Sequence, residues 1–196
     1  WCSTFWLTNK FLHKEKLLTT KERDQLLIAP LAGYDPVIAR WLWLLTDIRR
    51  RTLEVVEGMD ESLLAWRPDE KANRIGTLLY HIVAVELDWL YVEILERPEY
   101  SAAVFELLPY EMRDATGRLT PVYGESLQQH LARMTASRQL LLDELLPMTA
   151  ADFYRIRRLD PYDVTPEWAL YHLLEHEAGH RGEMAEVRRQ AERTTH

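Results

Sequence analysis

Cysteine is almost missing from this chain. Cys2 is the single one in 196 residues, so no intrachain disulfide can form and a thiolate metal cage is excluded. That usage fits a reducing, cytoplasmic setting. Glycine is scarce too, with seven residues, and no stretch alternates β-branched residues, so an extended sheet is not expected. Positive charge is in deficit: 24 Lys and Arg stand against 31 Asp and Glu, a net charge of −7. The basic clusters, Arg49–Arg51 and Arg155–Arg158, are short and read as solvated helix or loop faces. No nucleic-acid partner is expected from such a balance. No uninterrupted apolar run reaches the length of a membrane span. The opening stretch WCSTFWLTNKFLHKEK lacks a basic start followed by a continuous apolar segment, so it makes a poor signal peptide. A start at Trp1 instead of methionine implies either a fragment or a segment that is not the natural N-terminus.

What is present is apolar and helix-forming. Hydrophobic residues make up 47% of the chain and seven residues are tryptophan, which excludes a disordered chain and supplies one sizeable core. The expected class is all-α. Residues 1–30 read as an N-terminal extension, in which Thr19 and Glu22 resemble a capping box for a short helix through about Ala29. Pro30 and Gly33 break it, and residues 31–196 read as the main domain.

Four long amphipathic segments follow. Asp35-Pro36 opens the first and Gly58 closes it, with a short turn from Asp60 to Trp66 behind it. The second runs from about Arg74 to Leu95, capped by Asn73 and stopped by Arg97-Pro98. Residues 98–123 form a long connection with a partial helix near Ala102–Glu111. The third segment begins near Glu125 and ends by Leu146-Pro147, followed by a turn at Thr149–Phe153 and an irregular or extended piece through Pro161. The fourth begins at Thr165-Pro166 and continues to about Arg189. Four helices of this length predict a four-helix bundle with short additional helices, and the long second connection leaves room for a topology other than plain up-down-up-down.

The fourth segment carries the chemistry. It reads TPEWALYHLLEHEAGHRGEMAEVRR and places His172, His176 and His180 four residues apart. Each step of four turns the side chain by only about 40° and climbs roughly 6 Å, so the imidazoles line one face. Two imidazoles one turn apart can share a transition-metal ion. His172 with His176 and His176 with His180 are geometrically equivalent pairs. The third ligand has a candidate in His81, the other histidine embedded in a strongly apolar helix face. Gly179, beside His180, would let another helix or a ligand approach closely. Three neutral imidazoles suit Zn²⁺, Ni²⁺, Co²⁺ or Fe²⁺ and leave a position open for water or substrate, which is the catalytic arrangement. Glu183 can orient a ligand imidazole, act as a base, or simply pair with Arg181 or Arg188, and Glu175 lies toward the edge of the same sector. His172 can stand behind the ligands or line the pocket.

Two segments together, WRPDEKANRIGTLLYHIVAVELDWL (residues 66–90) and TPEWALYHLLEHEAGHRGEM (residues 165–184), resemble the two hallmark regions of the DinB-like superfamily of metalloenzymes, which includes YfiT-like and thiol-dependent transferase members. The resemblance spans roughly residues 35–190. It implies a four-helix bundle with a three-histidine site, whose ligands fall on His81, His176 and His180, with His172 outside the triad. Two positions depart from the family pattern: Gly179 stands where a second histidine is frequent, and Glu183 where glutamine is frequent. What the resemblance implies for activity is transfer of a low-molecular-weight thiol to an electrophilic small molecule, with a divalent metal (zinc or nickel first) activating the thiol and Glu183 and His172 as candidate catalytic residues. Two alternatives stand beside it: a hydrolase using metal-activated water with Glu183 or Glu175 as base, and a non-catalytic, stress-related metal-binding protein. The expected partner is a small-molecule substrate, with no nucleic acid and no membrane, and a homodimer is compatible with the composition.

Overall fold

The computed structural model describes residues 25–97 and 99–194. The capping box at Thr19 and Glu22 lies outside these residues. Residues 25–31 are irregular, so a helix does not reach Ala29. The main elements are α1 (Pro36–Val56), α2 (Glu61–Ala65), α3 (Ile75–Asp88), a π-helical segment (Trp89–Ile94), α4 (Ala102–Leu107), α5 (Leu127–Leu145), α6 (Ala150–Phe153), the strands β1 (Arg157–Arg158) and β2 (Asp163–Val164), and α7 (Pro166–Thr194). The class is all-α, as expected. The piece before Pro161 is part of a two-stranded antiparallel hairpin in which Arg157 pairs with Val164.

Local chemistry sets most boundaries. The Asp35 carboxylate accepts from the Val37 amide at 3.1 Å and caps α1, and Pro36 at the first turn needs no amide partner. Gly58, at φ 72°, leaves the helix through the left-handed conformation that few other residues adopt. A complete capping box between Ser126 and Gln129 starts α5 at Leu127, slightly later than the expected Glu125. Thr165 Oγ1 accepts from the Trp168 amide at 3.2 Å at the head of α7. Asn73 does not cap α3. Arg74 occupies that position without a side-chain capping bond, and the Asn73 side chain donates through Nδ2 to Glu183.

Side-chain contacts give the topology. Trp41 meets Glu167, Arg49 meets Glu177 and Arg188 meets the Val55 carbonyl, so α1 and α7 run parallel. Gly76 lies against His130, and Glu86 meets Ser137 and Arg138, so α3 and α5 are parallel as well. Asn73 meets Glu183 while Trp89 meets His172, so α3 runs antiparallel to α7. The bundle is therefore up-down-down-up, and residues 99–123 belong to the crossover that a parallel pair requires.

That crossover explains why α3 is more than amphipathic. Every residue from Ile75 to Leu87 is buried. The crossover seals the outer face: the Tyr80 hydroxyl hydrogen-bonds both the amide and the carbonyl of Tyr110, and the Val122 amide donates to Thr77 Oγ1 at 3.1 Å. Taken together, Ile75–Ile94 is long and apolar enough to cross a membrane, but most of it lies buried among its neighbours. Leu42, Leu45, Leu78, Ile82, Leu141, Leu145, Leu170 and Met184 fill the core, and each fully buried aliphatic side chain contributes roughly 1.5–3 kcal/mol.

Two of the expected solvated arginines are interior. Arg49 is 7% exposed and Arg157 only 1%. Arg49 belongs to a quartet with Glu86, Arg138 and Glu177 that joins all four long helices. Glu86 Oε2 accepts from Arg49 Nη2 at 2.9 Å and from Arg138 Nη2 at 2.6 Å. Glu177 Oε1 accepts from Arg49 Nε at 2.8 Å. Burial pushes the Glu86 carboxyl up, but Arg138 and Arg49 outweigh it and hold it below its ordinary value. Arg157 is held by the carbonyls of Ile94, Asp152 and Arg155 and by the Asp152 carboxylate.

Candidate metal centre

His81 sits in the buried half of α3, and His176 and His180 sit one turn apart on α7. The antiparallel packing of these helices brings the three rings together, with ligand atoms all within 4.8 Å of one another. His176 Nε2 lies 3.1 Å from His81 Nε2 and 3.2 Å from His180 Nε2. One imidazole nitrogen offers either one proton or one in-plane lone pair. His176 Nε2 cannot satisfy both neighbours by hydrogen bonding, whereas a shared cation serves all three. Nitrogens about 2.0–2.1 Å from a tetrahedral ion stand roughly 3.3 Å apart, close to these separations. The cluster is thus compatible with a divalent metal ion.

The electrostatics favour the ligating form. Burial, then the neighbouring imidazole of His180 and the positive charge of Arg113, hold the His81 pKa down at about 4. Burial and the surrounding imidazoles hold His176 at about 3. Both rings are neutral at pH 7 and carry a free lone pair. His81 Nδ1 is buried and has no hydrogen-bond partner among the described residues. On the other side, Glu183 Oε2 lies 3.0 Å from His180 Nδ1, and Glu183 Oε1 accepts from Asn73 Nδ2 at 3.1 Å. A carboxylate there fixes the His180 tautomer so that Nε2 faces the cluster. The hydrogen bond from His180, helped by Asn73, lowers the Glu183 pKa. Among the described residues, Glu183 does not pair with Arg181 or Arg188: Arg188 bonds Glu192 and the carbonyls of Val55 and Glu57.

His172 stands apart from the other three. Its ring centroid is 4.1 Å from Trp89 and 5.5 Å from Trp168, with the Trp168 and His172 planes only 3° apart. Trp89 and Trp168, on which His172 packs, wall a cleft of about 650 Å³ together with Ile156, Tyr162 and Val164. Below it, the Tyr162 hydroxyl donates to Glu93 Oε1 at 2.8 Å, and burial raises the Glu93 pKa. Glu175 is exposed on α7 and takes no part in the cluster. Gly179 does not admit a neighbouring helix: an added Cβ would meet nothing within 4 Å. Sequence reasoning assigned nothing to His130, which is 2% exposed, packs against Gly76 and lies 3.5 Å from Glu125. Glu125 and Arg133 are near in the chain, but the close fit against Gly76 comes from another helix and no spacing rule announces it.

Fold and site together define a helical bundle with an internal trihistidine cluster shared by two antiparallel helices. A family profile described as the DinB superfamily matches residues 44–184, and the chain belongs to that superfamily. No curated protein matches it significantly. Among solved structures it is similar to a conserved protein from Enterococcus faecalis, at 17% identity and a TM-score of 0.60, over 76% of this chain and 93% of that one. That likeness concerns the fold alone.

Proposed function

We propose that this chain is a metal-dependent enzyme that transfers a low-molecular-weight thiol to an electrophilic small molecule. The observation that carries the reading is the position of His176 Nε2, within 3.2 Å of two other imidazole nitrogens, an arrangement that a cation relieves and hydrogen bonds cannot. His81, His176 and His180 would hold the ion. A divalent ion with three neutral nitrogen ligands keeps a position open and supplies the Lewis acidity that makes a thiol nucleophilic near neutral pH. Asn73 and Glu183 hold His180 in its ligating orientation. The aromatic cleft beside His172 has the size and lining of a small-molecule pocket and is the natural place for the acceptor.

The thiol reading is preferred over hydrolysis because the candidate bases are poorly suited. Glu183 is already hydrogen-bonded to two neighbours and its pKa is lowered, whereas a general base works best with a pKa near the working pH. Elemental analysis of untagged protein, with His81→Ala and His176→Ala alongside, tests the centre. Near-stoichiometric metal in the wild type, lost in both variants, supports it. The loaded protein is then given a panel of electrophiles with and without thiols. Thiol-dependent consumption supports transfer. Ester or amide cleavage without thiol turns the reading to a hydrolase, and metal without turnover to a binding protein.

A further inference from the structure

On the Asn73 side of the triad the crossover gathers arginines. Arg67, Arg74 and Arg118 line a cavity of about 270 Å³ together with Asn73, Thr77 and Asp114. The cavity touches the support of the triad directly. Asn73 donates to Glu183, which holds His180, and Thr77 precedes His81 by one turn of α3.

In a chain of net charge −7, three guanidinium groups against one carboxylate is a marked local reversal. Among the described residues, none of the three forms an ion pair. Arg67 Nη1 donates to the Glu70 carbonyl at 2.9 Å, Arg118 Nη2 to the carbonyls of Glu70 and Lys71 at 2.8 and 3.1 Å, and Arg74 Nε to Ala65 at 2.9 Å. Asp114 is occupied within its own loop, where Oδ1 accepts from the Thr116 amide and hydroxyl and from the Arg118 amide. The interior arginines behave differently: Arg49, Arg138 and Arg157 each meet a carboxylate. A guanidinium has five N–H donors in a planar fork, so the cavity arginines keep unused donors, although Arg74 lies over the Tyr123 ring at 4.7 Å and the Arg118 charge acts on Asp114.

We infer that the Arg67, Arg74 and Arg118 cavity binds a carboxylate group of the thiol substrate, an assignment that rests on the reading of the triad as a thiol-transfer centre. The planar fork matches a carboxylate in two parallel hydrogen bonds. The cavity lies just below the usual range of whole-ligand pockets, roughly 300–1,000 Å³, so it suits a substituent and not an entire molecule. Asn73 lines the cavity and donates to Glu183, which holds His180, so a carboxylate bound there lies beside the support of the triad.

The test uses metal-free protein, so that it does not depend on turnover. Succinate, neutral succinamide and inorganic phosphate are titrated calorimetrically into the wild type, Arg67→Gln, Arg118→Gln and Arg118→Lys, and zinc binding and thermal unfolding are measured for each. The expected result is saturable binding of succinate but not succinamide, weakened about tenfold in each glutamine variant and partly restored by lysine, with zinc stoichiometry unchanged. No saturable succinate binding, or equal binding by folded glutamine variants, overturns the site. Phosphate bound in preference to succinate overturns the carboxylate assignment. Succinate binding in a wild type that takes up no zinc leaves the anion site standing and removes the thiol-transfer reading.

Discussion

Glu177 and Arg49 meet at 2.8 Å in the core of the bundle, one residue along α7 from His176, whose ring faces His81. Adjacent positions on one helix thus anchor the core and build the site. Arg49→Ala strands Glu86 and Glu177 beside a single guanidinium. The expected cost is about 3–5 kcal/mol, the range for breaking a buried ion pair. Urea unfolding of the metal-free protein measures it, and a loss under about 1 kcal/mol would mean that water replaces the missing charge.

Metal retention separates the histidines. His176→Ala is expected to abolish metal binding, and His172→Ala to leave it stoichiometric, because His172 packs on Trp89 and Trp168 instead of joining the cluster. Glu183→Gln is expected to weaken affinity by roughly 10–100-fold without abolishing it, the usual effect of changing a group that orients a ligand. Competition with a chromogenic chelator reads all three, and a metal-free His172→Ala protein would contradict the assignment.

Acid should weaken the metal-free fold through its buried imidazoles. Burial holds His130 at about 4, against about 6.5 when the chain is unfolded. The unfolded state therefore binds the proton first. The stabilising difference is complete above pH 6.5, declines as the pH falls toward 4 and is exhausted below it, up to about 3 kcal/mol for this group. His81 and His176 act in the same direction. His130→Gln should flatten part of the decline in urea midpoint between pH 6.5 and 4. A profile parallel to that of the wild type would show that His130 does not contribute.

Helical glycines should respond oppositely to alanine. An added Cβ at Gly182 meets nothing within 4 Å, so Gly182→Ala should stabilise by about 0.5–1 kcal/mol through backbone entropy. At Gly76 the same Cβ would lie 3.1 Å from His130 Nε2. His130 is enclosed by Glu125 and Arg133 and has little room to retreat, so Gly76→Ala should destabilise. Thermal unfolding of the two variants checks the opposite signs.

The four long helices and the histidine row were readable because both are periodic: apolar spacing near 3.6 marks a helix, and a repeat of four marks one face of it. His81 stood out as a titratable residue in an apolar run. The arginine quartet was hidden for the opposite reason. The spacing of Leu42, Leu45, Arg49, Thr52 and Val56 does put Arg49 on the buried stripe, unlike the exposed Arg50 and Arg51, but its partners Glu86 and Glu177 are supplied by other helices and leave no local trace. The local pattern allows Asn73 as a helix cap, but the helix starts one residue later, at Arg74 and Ile75, and the Asn73 Nδ2 group donates to a partner 110 residues away. Gly179 suggests close approach of another helix or a ligand; no helix packs there, and the glycine faces open space.

The π-helical segment has a consequence for how one rod serves two surfaces. The Leu95 amide reaches back to the Leu90 carbonyl, one residue further than an α-turn, and the Arg97 amide reaches Tyr91. The wide turn resets the angular phase of the chain beyond Asp88 and leaves the phase of His81 untouched. Side chains upstream keep the register that points the imidazole at α7. Those downstream gain a separate heading, in which Trp89 meets His172, Glu93 meets Tyr162, and the Ile94 carbonyl receives Arg157. The joint behaves as a mechanical coupling between two independently aimed tools, so the wall of the cleft can be retuned by substitution without realigning His81.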